Sequence, residues 1–252
     1  IMGWIMAYIV KMITGSMKGF TAEQYTASFN DLMASPTQLL FWTFVCTVII
    51  GVIAAKNLNS GLEKACKFMM PALFIMLITV VIRSVTLPGA AEGIKWYLNV
   101  DFSKVTPQTF LTALGQCFFS VGIASGGAFV YGSYLKKDSN IPEDGLMVVG
   151  FDTLAALIAG FATFPAVFAL GLKPDSGSNL LFVTMSNVFM NMPFGQVFGF
   201  MFFLLMFFAA LSSALGYLEP ISASFSDMMK LSRAKGTIYA LVSIFVVGLS
   251  TI

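Results

Sequence analysis

The chain has 252 residues, 58% hydrophobic and 10% charged, with a formal net charge of +2 and a mean hydropathy of +0.86. Soluble domains carry about 25% charged and 45–50% apolar residues, so a soluble fold here would lack the polar groups to cover its surface. The absence of histidine excludes Ser-His-Asp and Cys-His catalysis and haem ligation, and with no basic run longer than Lys136-Lys137 there is no footprint for nucleic acid.

In chain order, Ile1–Thr14 reads as an apolar helix that is the remnant of a span, and Gly15–Ser35 as a polar connection. Thr37–Ala55 is a clean span with Pro36 at its start, followed by a short basic connection, Asn57–Lys67. Phe68–Ile82 is a span interrupted by Pro71 and closed by Arg83, and Leu87–Thr106 is a longer loop with an amphipathic piece around Trp96-Tyr97. Pro107–Leu135, Leu146–Leu172 and Gly195–Phe225 follow as long apolar segments, separated by the polar turn Lys136–Asp144 and by Ser176–Asn191. The last of these connections is apolar but rich in Ser and Asn, and reads as re-entrant or interfacial rather than spanning. The loop Ser226–Lys235 leads into Tyr239–Ile252, too short to span.

The uncharged runs Val105–Leu135, Thr153–Leu172 and Ser176–Leu218 are each long enough to cross about 30 Å of hydrocarbon. The chain is therefore expected to be an all-α, polytopic helical membrane protein with about seven crossings. It opens without an initiator Met or a charged leader, and it stops inside an apolar run, so both ends read as cut and the first and last crossings as incomplete. Alternate loops hold eight Lys or Arg (Lys56, Lys64, Lys67, Lys136, Lys137, Lys230, Arg233, Lys235) against five on the opposite side, which places the first set in the cytoplasm. Cys46, Cys66 and Cys117 share no CxxC spacing and read as reduced thiols acting as small hydrophobes.

Polar groups inside a membrane are costly, so each needs a reason. Gly122-Ile-Ala-Ser-Gly-Gly127 is a poor helix, because each Gly costs about 1 kcal/mol against Ala. A break there frees backbone groups toward a cavity or ligand; close packing through small residues is the other reading. Asp152, about seven residues into a span that begins near Gly145, is followed by a 20-residue uncharged run. A carboxylate at that depth calls for a cation or a proton, unless it snorkels to the interface. Ala209, Ser212, Ser213 and Gly216 fall on one helical face, either a packing seam or a set of oxygens for a cation. Glu219 reads as an interfacial charge, a proton-sensitive carboxylate or part of a cytoplasmic gate. Together these features match ion-coupled transport through broken helices, and residue types alone reach "transporter or channel" and stop there. An intramembrane aspartyl protease would need two aspartates sharing a proton, and Asp152 is the only one within a span.

Five segments carry a more specific resemblance: Gly61-Leu-Glu-Lys-Ala-Cys-Lys-Phe-Met-Met-Pro71, Leu114-Gly-Gln-Cys-Phe-Phe-Ser120, Tyr131-Gly-Ser-Tyr-Leu-Lys-Lys137, Phe164-Pro-Ala-Val-Phe168 and Ala209-Ala-Leu-Ser-Ser-Ala214. In order and spacing the chain resembles the bacterial branch of the neurotransmitter:sodium symporters. The resemblance implies transmembrane helices 3 to 9 of a LeuT-type inverted-repeat fold, one transmembrane domain with a broken helix near residues 120–127. Residues 1–86 would end the first repeat with about three helices, and 107–252 would form the second with about four.

The same resemblance implies a Na⁺-coupled symporter of amino acids or related small amines, working by alternating access in the bacterial inner membrane. It implies two sodium sites, each incomplete in this chain, and no organic cofactor. Ser120 and Asp152 would serve one ion, and Ala209, Ser212 and Ser213 the other. Phe119, Ser120, Gly122, Ser125, Ser213, Ala214 and Tyr217 would line the substrate pocket, with Phe119 as a lid. Asp152 stands where the family usually has Asn, so its negative charge could replace chloride, and transport is expected to be chloride-independent. Ser125, smaller than its usual counterpart, with Tyr217 opposite suggests an amino acid of medium or large size. A channel or a non-transporting scaffold of the same fold is the alternative.

Overall fold

The structure is a computed structural model that describes residues 1–54, 62–122, 132–133, 135–136, 138–172 and 177–251. Ten α-helices are described: α1 (Met2–Thr14), α2 (Ala22–Met33), α3 (Pro36–Ala54), α4 (Leu62–Val85), α5 (Ala90–Leu98), α6 (Pro107–Val121), α7 (Ile141–Ala169), α8 (Met185–Met190), α9 (Gly195–Met229) and α10 (Arg233–Gly248). No strand occurs among the described residues. Four helices, α3, α4, α7 and α9, are long and apolar enough to cross a membrane.

Helix starts follow local chemistry. Pro107 occupies the first turn of α6, and Thr106 and Thr109 form a reciprocal capping box that satisfies two free N–H groups. The same device opens α2, where the Thr21 N–H donates to Gln24 Oε1 at 2.8 Å. This helix corrects the expectation of a polar connection over Gly15–Ser35: Tyr25, Phe29 and Leu32 turn one face into the core. The other boundaries also shift. Helix α4 begins at Leu62, so Lys64 and Lys67 are helical rather than loop residues. Helix α9 runs four residues beyond Phe225, leaving a three-residue connection to α10.

Helix α9 is the central element, packed against α1, α3, α4, α8 and α10, while α7 lies against α4 and α5. The core is densest where α1, α2, α8 and α9 meet. The Tyr8 ring lies 5.0 Å from Phe182 and 5.3 Å from Phe203, and Phe29 stacks on Phe182 at 5.4 Å. Among apolar solvents such packing, rather than expulsion from water, holds helices together, each aromatic pair contributing about 0.5–1.5 kcal/mol. Lys11 at the edge of this cluster donates to the Ser28 hydroxyl at 2.7 Å and lies over the Tyr8 ring. Asn179–Thr184, wound as a π-helix, continues into α8, and together they are too short to span, as expected for an interfacial segment. At the turn into α9, Gly195 lies so close to the Phe189 carbonyl that no side chain fits.

Candidate ion and substrate site

Helix α6 ends at Val121. Its 15 residues cover about 22 Å at the usual rise, and Gly122 ends it in the left-handed region (φ 70°, ψ 30°), its N–H turned back to the carbonyls of Phe118 and Phe119. Glycine takes that conformation at no steric cost. The expected break near residues 120–127 thus begins at Gly122; Ser125 lies outside the described residues.

Immediately before the break, the Ser120 hydroxyl donates to Asp152 Oδ2 at 2.7 Å, across 32 residues of sequence. The two expected ligands of one ion are therefore brought together by the packing of α6 on α7. Helix α7 starts at Ile141, with Glu143 and Asp144 in its first turn, so Asp152 is 11 residues in, about 16 Å along the axis. Both residues are exposed in this chain.

The second group of expected ligands also converges. The Ser212 and Ser213 hydroxyls both donate to the Ala209 carbonyl, at 2.9 and 3.1 Å. One carbonyl and two hydroxyl oxygens thus cluster within a single turn of α9, each with lone pairs left to offer a hard cation. Phe119, beside Ser120, is 77% exposed, and Tyr217, one turn beyond Ser213, is 49% exposed. Ala214 is half-buried. No hydrogen bond joins the two ligand clusters to each other among the described residues.

Glu219 belongs to a different arrangement. It is 5% exposed and accepts from both arms of Arg233, Nη1 to Oε1 at 2.9 Å and Nη2 to Oε2 at 2.6 Å. Below it, the Ser222 and Thr237 hydroxyls share a hydrogen bond of 2.8 Å. Sequence reasoning assigned Arg233 to a cytoplasmic loop and missed this partnership. Lys230, left-handed at φ 51°, caps α9 and folds the chain back so that α10 starts alongside Glu219. No periodicity signals that reversal.

Interrupted apolar helices with convergent oxygens beside the break are the construction of membrane transporters. The chain belongs to the sodium:neurotransmitter symporter family, whose model matches residues 11–252. This is a family of secondary transporters, not of enzymes. The chain is 36% identical over 250 residues to an uncharacterized sodium-dependent transporter of Haemophilus influenzae, covering 98% of this chain and 55% of the relative. It is 38% identical over 247 residues to the uncharacterized sodium-dependent transporter YhdH of Bacillus subtilis, with 98% and 55% covered. A solved structure of MhsT in complex with L-phenylalanine superimposes with a TM-score of 0.88 at 38% identity, over 99% of this chain and 57% of that one. The fold is thus the LeuT-type fold of that relative, and the chain spans about half the length of the curated relatives it matches.

Proposed function

We propose that this chain carries part of each ion site of a Na⁺-coupled amino-acid symporter of the bacterial plasma membrane, working by alternating access without a need for chloride. The observation that carries the reading is the Ser120–Asp152 hydrogen bond at the end of a broken helix. A carboxylate with a hydroxyl beside it supplies the oxygens that a hard cation takes in place of water. It also supplies the negative charge that balances the ion, so no anion is needed. Ala209, Ser212 and Ser213 hold a second Na⁺ through one carbonyl and two hydroxyls. Phe119, Ser120, Gly122, Ser125, Ser213, Ala214 and Tyr217 line the substrate pocket, and the L-phenylalanine bound to MhsT supports an amino acid of medium or large size. Residues 1–86 end one inverted repeat and 107–252 form the other, so the ligands named here come from the second repeat.

The test is uptake of labelled amino acids by the protein in proteoliposomes. Uptake requires Na⁺ and persists when chloride is replaced by gluconate. Asp152→Ala and Ser213→Ala each weaken the sodium dependence. Normal sodium dependence in both variants would remove the site assignment, and loss of uptake without chloride would remove the charge argument.

A further inference from the structure

The segment Phe164-Pro-Ala-Val-Phe168 and the pair Trp96-Tyr97 take no part in the ion or substrate site, yet they pack against each other. Pro165 is buried inside α7 and has no N–H to give to the Phe161 carbonyl one turn earlier. A helix bends most readily where that bond is missing. Asp152 is 13 residues before the proline, about 20 Å along the axis, so a change of about 5° in the bend swings it by about 2 Å. A binding constellation has to be held within roughly 0.5 Å. The direction of α7 across Pro165 thus needs support from outside the helix.

Helix α5 lies across that point and touches α7 on both sides of it. On the Asp152 side, the Tyr97 hydroxyl donates to the Leu157 carbonyl at 3.3 Å, and the Tyr97 ring meets Phe161 edge-on at 5.2 Å. The same ring covers Gly160 so closely that a Cβ there would strike it. At the proline and beyond it, Trp96 lies 5.0 Å from Phe164 and 5.5 Å from Phe168. Between these contacts Gly93 meets the backbone of α7. A Cβ on Gly93 would stand 2.7 Å from the Phe164 carbonyl oxygen and 2.8 Å from Pro165 Cα. Backbone does not yield as a flexible side chain does, so only glycine admits this approach.

We infer that α5 is a splint across the Pro165 joint and that Tyr97 is a positioning residue, a role that rests on Asp152 being an ion ligand. By holding α7 on both sides of the missing bond, α5 fixes the direction in which Asp152 is presented to Ser120. Tyr97 touches neither member of that pair and acts on them through α7 alone.

The experiment is a double-mutant cycle of Tyr97 and Pro165 in the purified protein in proteoliposomes, with two readouts. Spin labels at Ile141, where α7 starts, and at Ser178, beyond its end, report the spread of distances across the joint in a cysteine-free background. Sodium-titrated uptake reports the half-saturating Na⁺ concentration. Tyr97→Ala broadens the distance distribution and raises the half-saturating Na⁺ about threefold to tenfold, the scale for residues that contact no ligand. Tyr97→Phe keeps the rings together and stays within about twofold of wild type. Gly93→Ala pushes α5 away from α7 and repeats the Tyr97→Ala result without loss of a ring. Pro165→Ala restores the missing N–H, so adding Tyr97→Ala to it changes both readouts less than in the wild-type background. Thermal unfolding checks that each variant keeps the fold. An unbroadened distribution in Y97A and G93A, or equal effects of Y97A in both backgrounds, would overturn the splint. A broadened distribution with unchanged half-saturating Na⁺ would overturn the positioning role. Asp152→Asn in the same titration separates that result from a failure of the ion-site reading.

Discussion

Asp152 and Glu219 are both carboxylates on long apolar helices, but their surroundings differ. Asp152 is exposed and accepts a hydrogen bond from the neutral Ser120 hydroxyl, while Glu219 is 5% exposed and held by both arms of a guanidinium. Among the described residues no Lys or Arg forms an ion pair with Asp152. The charge of Glu219 is thus neutralised within the protein, as a fastening between α9 and α10. Asp152 has the neutral Ser120 hydroxyl beside it, and in the function proposed above its charge is balanced by the bound Na⁺. Burial and partner, rather than residue type, separate the two carboxylates.

The comparison breaks most visibly at Arg233. Arg233→Ala strips the guanidinium from a buried carboxylate and lowers stability by about 3–5 kcal/mol, read as a large drop in the thermal midpoint of the detergent-purified protein. Arg233→Lys keeps the charge but loses the planar fork, and falls between the two. Asp152→Asn has the reverse signature: sodium affinity falls at least about tenfold, or about 1.4 kcal/mol, in sodium-titrated uptake, while the thermal midpoint stays close to wild type. Thr237→Val removes the partner of the buried Ser222 hydroxyl beside the Glu219–Arg233 pair, costing about 1–2 kcal/mol of stability and leaving sodium affinity unchanged. Ser120→Ala is the smallest for the fold, within about 0.5 kcal/mol because the site is exposed, yet it weakens sodium binding in the same titration. A stability loss at Asp152 as large as at Arg233 would erase the distinction.

Much of this was legible from residue patterns. The spans α3, α7 and α9 followed from uncharged runs, and the Gly-rich stretch after Ser120 marked the place where α6 ends. The spacing of Ala209, Ser212 and Ser213 placed three oxygens on one face, and the structure gathers them around one carbonyl. Helix α2 carried its signal in Thr21 and Gln24, overlooked because its composition is polar. The start of α7 at Ile141 was missed because Glu143 and Asp144 resemble a loop, although acidic residues suit the first turn of a helix.

The sequence by itself determined the membrane class, the break in α6 and the family, because these rest on charge spacing, local propensity and motifs along the chain. Only the tertiary structure decided which carboxylate meets a guanidinium and which meets a hydroxyl. Ser120 meets Asp152 across 32 residues and Arg233 meets Glu219 across 14, by way of a left-handed turn at Lys230. Such pairings depend on how helices pack in space, and the order of residues along a helix does not record which neighbour it will face.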